Sequence, residues 1–572
     1  MRRFLATAGL AGTLIAGMCA PVAHAEPVTV SCTGLVGLAI PAAAIGLPTT
    51  GGEVTAAQQV PASGQGTAAT GAYCRVDAVV RPVDPTAPDI RLRVALPVLW
   101  NGGAMMLGGG GYDGTVPDVA GNVPFGPVDR PTPLARGYAV FAGDSGHQAA
   151  PDHQPTPSLD GSFGGNDEAL RNFAGNALKK TRDAARYVLR AHYGTSPARS
   201  YFAGGSTGGR EALAVAQRWP ADFDGVIAVY PAWNAASLDL FFGYEAQVLA
   251  QPGAFPGPAQ QELLHRSVIE ACDGDDGLRD GVISDEAGCR FDPRTLRCPD
   301  EADEAEETAD TAGRGGVGGT STTGATAVCL TDRQIDAVKA LSTPLRWKYE
   351  LASGETGYPG FPFLSGADMT TPLLGMGSQA PADPMPRTSG YGVQFWDQWV
   401  KYFVTRDPAR GALTVDPLAP GRWQRRISEL SALQDVNDPD LSRFARAGGK
   451  LLVLHGTADE LVSHRSTVEY FRRVQRVMGK RATQEFARLY LVPGANHANI
   501  GTPFAASWDS LTALEDWTRT GEAPRNPVVT DRNPGAGLRT RPLCAYPAWP
   551  RYTGTGDPGA ASSFRCRTGG GR

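Results

Sequence analysis

The chain has 572 residues, 42% of them hydrophobic and 19% charged, and a formal net charge of −5. That balance offers no basic surface for nucleic acid, and beyond the N-terminus no segment supplies the ~18 uncharged apolar residues of a membrane-spanning helix. The length allows a large hydrophobic core with a further unit attached.

The chain begins "MRRFLATAGLAGTLIAGMCAPVAHAEPV", a basic start, a short apolar stretch and a small-residue "AHA" before Glu26. This predicts a signal peptide over 1–25 and a secreted or periplasmic protein. Of nine cysteines, one (Cys19) falls in that leader. The eight others are Cys32, Cys74, Cys272, Cys289, Cys298, Cys329, Cys544 and Cys566. An even number in an exported chain predicts four disulfides. The cysteines cluster two by two, so local pairing is the simplest arrangement, although eight permit 105 pairings. No CxxC pair or histidine cluster suggests zinc instead.

Along the chain, "IRLRVALP" (90–97) reads as a strand, and "GGAMMLGGGGYDG" (102–114) as an apolar strand entering a glycine loop. "GYAVFAGDSGH" (137–147) reads as a buried strand, and 167–194 as a helix stopped by Gly194. "SYFAGGSTGGREALAVAQRWP" (200–220) is strand, tight turn and helix, and "FDGVIAVYPA" (223–232) the next strand. The alternation predicts an α/β fold with a mostly parallel sheet. It breaks after 232 and resumes with strands in 448–462 and 487–497 and a helix in 507–521. The expected organisation is therefore a core over 26–232 and 448–572, with a lid or specificity domain inserted at 233–447. Residues 299–327, acidic and then rich in Gly and Thr, read as a disordered insert.

Gly204-Gly205-Ser206-Thr207-Gly208 fits G-x-S-x-G, which raises a nucleophile on a strand-to-helix turn. A serine needs a base to take its proton and a third group to orient that base. Asp459 and His497 each follow a strand, in the order Ser, Asp, His that hydrolases of this architecture use. Glu460 competes with Asp459, but the place of Asp459 in "HGTAD" favours it. Thr207, with Gly110 or Gly111 of the early glycine loop, would supply backbone N–H groups to an oxyanion. In 272–289, Asp273, Asp276 and Asp280 crowd together among glycines between two cysteines. This composition suits calcium, and a plain acidic turn is the alternative.

Taken together, "GGGGYDG", "GGSTGGRE", "CDGDDGLRDGVI", "HGTAD" and "PGANH" resemble the tannase/feruloyl esterase family over nearly the whole chain. The resemblance implies an α/β-hydrolase fold with a large inserted lid. It also implies a structural Ca2+ held by Asp273, Asp276, Asp280 and the carbonyls of Leu278 and Val282. The disulfides it implies are Cys32–Cys74, Cys272–Cys289, Cys298–Cys329 and Cys544–Cys566. One departure stands out. Most of the family carries a cysteine before the nucleophile and another after the histidine, joined beside the triad. Here those positions are Gly205 and Ala498, and both halves are gone together. The expectation is an active esterase whose triad is held by packing.

The family's substrates are small esters of aromatic acids: galloyl, feruloyl or terephthaloyl. Tyr391, Phe395 and Trp396 in "SGYGVQFWDQWVKYF" are candidates to clamp the ring, lid-core packing being the alternative for each. Arg387 is a candidate cation for a terephthalate carboxylate. No oligomeric state is predicted. Two other functions compete: a secreted serine peptidase or amidase, and an inactive calcium-dependent binding protein.

Overall fold

The computed structural model describes residues 29–299, 328–497 and 499–569. The expected signal peptide, residues 300–327 of the expected disordered insert, and Ala498 lie outside them.

The described residues form one ten-stranded sheet and three small ones. Across the large sheet the strands run 39–40, 51–60, 73–81, 90–97, 139–143, 103–107, 199–205, 225–229, 450–456 and 487–492. The last six of these are parallel neighbours, and the first four extend the sheet antiparallel from Ala139–Gly143. Gly103–Leu107 and Gly225–Val229 are buried at every position, as strands covered by helices on both faces must be. Successive residues feed opposite cores: Phe202, Val226 and Val453 pack on one face, Tyr201, Ile227 and Leu452 on the other. This is the α/β-hydrolase architecture.

The order reverses between Gly103–Leu107 and its neighbour Arg199–Gly205, because the chain leaves Leu107 to one side and returns on the other. Crevices open at the carboxyl ends of strands at such a switch point. The glycine loop and Ser206 both begin there.

Gly225–Val229 and Lys450–Gly456 pair in parallel, so the chain leaves the sheet at the carboxyl end of one strand and re-enters at the amino end of its immediate neighbour. That segment builds most of an aromatic core around Phe241, Phe361, Trp396, Trp399 and Phe403, which Tyr112, Phe163 and Phe173 join from the preceding part of the chain. The four disulfides pair Cys32–Cys74, Cys272–Cys289, Cys298–Cys329 and Cys544–Cys566. Among the described residues no helix is long and apolar enough to cross a membrane.

The predicted helix over 167–194 is interrupted. Asp167–Arg171 and Ala177–Tyr193 flank a wide turn at Asn172–Asn176, where Gly175 has φ 133°. Arg218 donates there to the carbonyl of Ala174 and takes the room a side chain at 175 would need.

Candidate active site

Strand Arg199–Gly205 ends in Ser206, whose φ of 60° and ψ of −123° turn the chain directly into helix Thr207–Arg218. So tight a turn brings backbones together: a Cβ on Gly204 would lie 2.3 Å from the carbonyl oxygen of Gly208. Glycine is required there by contact, not by flexibility.

Ser206, His497 and Asp459 meet in a hydrogen-bonded chain. His497 Nε2 lies 3.0 Å from Ser206 Oγ, and its Nδ1 lies 2.9 Å from Asp459 Oδ2. An ionised carboxylate only accepts, so Nδ1 carries the proton and Nε2 is free to take one from the serine. Asp459 is fully buried, and its Oδ1 accepts the N–H groups of Leu461 and Val462 at 2.9 and 2.8 Å. A second imidazole reaches Oδ2: His455 Nε2 is 3.2 Å away and also donates to the Val462 carbonyl, while Thr467 Oγ1 fixes its Nδ1. Burial alone would push the Asp459 carboxyl up, but His497, then the bonds from both rings, outweigh it and hold it below the usual carboxylate range. The neighbouring Glu460 meets only the backbone N–H of His497, at 3.2 Å. Burial first, then the charge of Asp459, push the Glu460 carboxyl well up. Of the two acids, Asp459 is the one that touches the ring.

The glycine loop is tied to the elbow. Thr207 Oγ1 donates to the Gly111 carbonyl at 2.7 Å, and Glu211 Oε2 accepts the Gly109 N–H at 2.9 Å. Among the described residues, no acceptor meets the N–H of Thr207 or Gly111, whereas that of Gly110 is engaged by the Asp113 carboxylate. These three line the space beside Ser206.

Two cavities meet at Ser206. One is an open cleft formed by Gly108–Gly111, Pro117, Pro124, Tyr230 and His497. The other is enclosed and mostly apolar, walled by Phe173, Leu238, Phe242, Tyr391, Phe395 and Leu461, with Arg210, Asp239 and Gln434 set among them. Helix Tyr391–Gln398 is docked over the core by Tyr112, which stacks on Phe395 at 3.7 Å and donates to its carbonyl. Trp396, expected at the substrate, is not there. It is wholly buried on the other side of that helix, against Gly243 and Trp399, with its N–H on the Ala412 carbonyl. Helical geometry sends 391 and 395 to one face and 396 toward the lid core. Arg387 lines a different cavity, with Met369 and Ser378.

Tyr230 was not anticipated. It sits directly after strand Gly225–Val229 with φ 35°, and its ring packs 4.6 Å from that of His497. A Cβ on Gly205 would meet the Tyr230 ring at 2.6 Å, so this ring and a side chain at 205 exclude each other. Its signal in the sequence was a bulky residue in the turn "VYPA", where a strand gives way to a loop.

The acidic loop does not match the cage that the resemblance implies. Among the described residues no three of His, Cys, Asp and Glu gather as metal donors. Asp273 accepts the N–H groups of Asp280, Gly281 and Val282, and Asp276 those of Leu278 and Ser284. Asp280 is engaged by the guanidiniums of Arg539 and Arg541, from the C-terminal segment. A cation would have to displace that pairing, so no part of the chemistry is assigned to calcium.

A profile of the family "Tannase and feruloyl esterase" matches residues 74–567. The chain belongs to that family. An uncharacterized esterase of Agrobacterium fabrum is 36% identical over 545 residues, covering 94% of this chain and 92% of the relative. The mono(2-hydroxyethyl) terephthalate hydrolase of Piscinibacter sakaiensis is 29% identical, covering 90% and 88%. Feruloyl esterase B from Aspergillus oryzae superposes with a TM-score of 0.71 at 22% identity, over 91% of this chain and 98% of that one. The membership makes the protein an esterase at family level and leaves its substrate to the pocket.

Proposed function

We propose that the protein is a serine carboxylesterase acting on small esters of aromatic acids through an acyl-enzyme. The observation that carries this is the unbroken chain from Ser206 through His497 to Asp459, opening on an enclosed aromatic-lined pocket. Ser206 Oγ attacks the ester carbonyl as its proton passes to His497 Nε2. The carbonyl oxygen becomes an oxyanion, and the open N–H groups of Thr207 and Gly111 are available to it. The tetrahedral adduct collapses, the C–O bond to the alcohol breaks, and His497 returns the proton to the leaving oxygen. Water then repeats the sequence against the acyl-serine, releasing the acid. Asp459 holds the tautomer throughout and stabilises the imidazolium.

The ester binds in the open cleft, and its acyl ring points toward Phe242, Tyr391 and Phe395, whose cavity of about 40 Å³ must widen to admit it. The ring of Tyr230 takes over the task of bracing His497 that a local disulfide performs elsewhere in the family. Four disulfides support an oxidising destination, secreted or periplasmic. The test is hydrolysis of methyl gallate, methyl ferulate, mono(2-hydroxyethyl) terephthalate, p-nitrophenyl acetate and a peptide amide by the protein and by Ser206→Ala. Serine-dependent turnover of an aromatic ester supports the reading. Turnover of the amide alone would replace it with a peptidase.

A further inference from the structure

Two buried carboxyls press against the glycine loop beside Ser206 and have no part in the proton chain of the triad. Asp113 is 3% exposed and Glu211 2%. They fill the places of side chains that the loop lacks: a Cβ on Gly109 would collide with Asp113 Oδ1, and one on Gly108 would lie 2.8 Å from Glu211 Oε2. Both also hold the loop by its backbone. Glu211 Oε2 accepts the Gly109 N–H at 2.9 Å. The Asp113 carboxylate engages the Gly110 N–H, while the Asp113 N–H donates to the Gly110 carbonyl at 2.9 Å. Asp113 adopts φ 61° to do so, where glycine would be the ordinary choice.

Ser145 Oγ joins the two acids, 2.8 Å from Asp113 Oδ2 and 3.3 Å from Glu211 Oε1. A hydroxyl has one proton to give, so it satisfies one of these oxygens. The other meets it without repulsion only by carrying a proton itself. Glu211 and Asp113 are also within hydrogen-bonding reach of each other, and two carboxyls bond only when one is protonated.

The charges around the pair agree. The cation facing it is Arg210, on the same helix as Glu211. Its guanidinium donates to the carbonyls of Phe173 and Gln434, and its single charge is shared among Glu211, Asp113, Asp239 and Asp435. Beside Ser145, Asp144 is committed to the N–H groups of Arg91 and Gly146, and burial holds His147 neutral. From the inserted segment the uncharged Tyr391 faces Asp113. One cation for four buried acids leaves no compensation for two full charges on the pair. Burial first, and for Asp113 the Glu211 charge next, push both carboxyls up.

Resting on the reading of Ser206 as nucleophile, we propose that Asp113 and Glu211 share one proton and act together as positioning residues, keeping the glycine loop where the Gly111 N–H meets the oxyanion. With the proton in place, the pair carries a single charge and a hydrogen bond spans the two acids. When the proton leaves to solvent, two carboxylates repel across the backbone of Gly108–Gly110, and the loop shifts off the elbow. The loss falls on stabilisation of the oxyanion and not on substrate binding, so kcat changes while KM does not.

The test is p-nitrophenyl acetate hydrolysis from pH 6 to 10, corrected for the spontaneous rate, by the full-length protein and its variants. In the unaltered protein kcat should fall about tenfold toward the alkaline end, with KM within about twofold. Glu211→Ala should lower kcat about 100-fold at neutral pH, near the cost of losing one oxyanion donor. Glu211→Gln keeps an acceptor for the Gly109 N–H and a proton that cannot leave. It should recover kcat to within about tenfold of the unaltered protein and hold it level where the unaltered protein falls. Asp113→Asn removes the titration from the other side of the pair, and it serves if the Glu211 variants fail to fold. A level alkaline profile in the unaltered protein, or an alkaline fall that both amides leave in place, would overturn the shared proton. So would equal losses in Glu211→Ala and Glu211→Gln, both folded by calorimetry. In each of those cases Ser206-dependent turnover by the unaltered protein keeps the esterase reading, and its absence would take both down.

Discussion

Two regions of this molecule concentrate carboxylates among glycines, and they solve the problem in opposite ways. At the triad, Asp459 is assembled from afar: its partners His497 and Ser206 come from other strands, and the sheet brings them together. Every contact to its carboxylate is a donor with a defined direction, two backbone amides and two imidazoles. In the acidic loop, Asp273 and Asp276 are satisfied within a dozen residues by amides of their own loop, and Asp280 by arginines outside it. Burial raises the Asp276 carboxyl to about 6, whereas Asp459, though more deeply buried, is held low. Burial fixes how much a carboxylate must be compensated. The geometry of its donors decides whether it becomes a working charge or a structural knot.

The comparison breaks most visibly at the proposed nucleophile. Ser206→Ala should lower kcat by about 10⁴-fold or more with an unchanged melting temperature, in steady-state kinetics and calorimetry. Asp459→Asn should cost a similar order, about 10⁴, because the amide favours the wrong histidine tautomer. The same variant sharpens the pH contrast. Since the folded-state pKa of Asp459 is depressed, the stability it contributes is full above pH about 4 and is lost as pH falls further. Melting temperatures measured from pH 7 to 3 should therefore fall more steeply in the unaltered protein than in Asp459→Asn. A parallel decline would mean that His497 and His455 do not hold that charge.

Tyr230→Ala comes next: kcat should drop about 10- to 100-fold through loss of positioning, with KM changing less. Restoring cysteines at 205 and 498 in that background is the sharper version, and rescue would equate the ring with the disulfide. Smallest are the effects in the acidic loop. Arg541→Ala should lower the melting temperature by a few degrees and leave kcat within about twofold, since it strands part of the Asp280 charge. Chelation by EDTA should do less than that substitution. If calcium instead raised the melting temperature by more than about 5 °C, the loop would be a cation site after all, with Arg539 and Arg541 displaced.

Much of this arrangement is legible in the sequence because it depends on local rules. Ser206 stands in a turn that only glycines permit, and Asp459 and His497 stand at ends of apolar strands. Chain order then matches the roles proposed for them. Other parts are not legible, for identifiable reasons. The strands Gly51–Val60 and Tyr73–Arg81 carry alanine, glutamine and arginine on their outer faces, and they join the sheet only by pairing with each other and, through Tyr73–Arg81, with Ile90–Pro97. Trp396 and Phe395 are adjacent in sequence and face opposite sides of one helix, so composition cannot assign them. Asp113 and Glu211 come from separate stretches of the chain, and only the fold brings both to Ser145. Tyr230 matters through the side chain that is missing at 205.

That the long segment between Val229 and Lys450 connects two strands lying side by side in the sheet also bears on how such enzymes diversify. Because the strands at its two ends are held side by side by their own pairing, that segment can be lengthened, shortened or exchanged without moving the strands that lead into Ser206 and Asp459. Phe242, Tyr391 and Phe395 can thereby drift with the inserted segment while Ser206, Asp459 and His497 stay put. Transplanting the segment between relatives is a route to new acyl preferences that leaves the engine untouched.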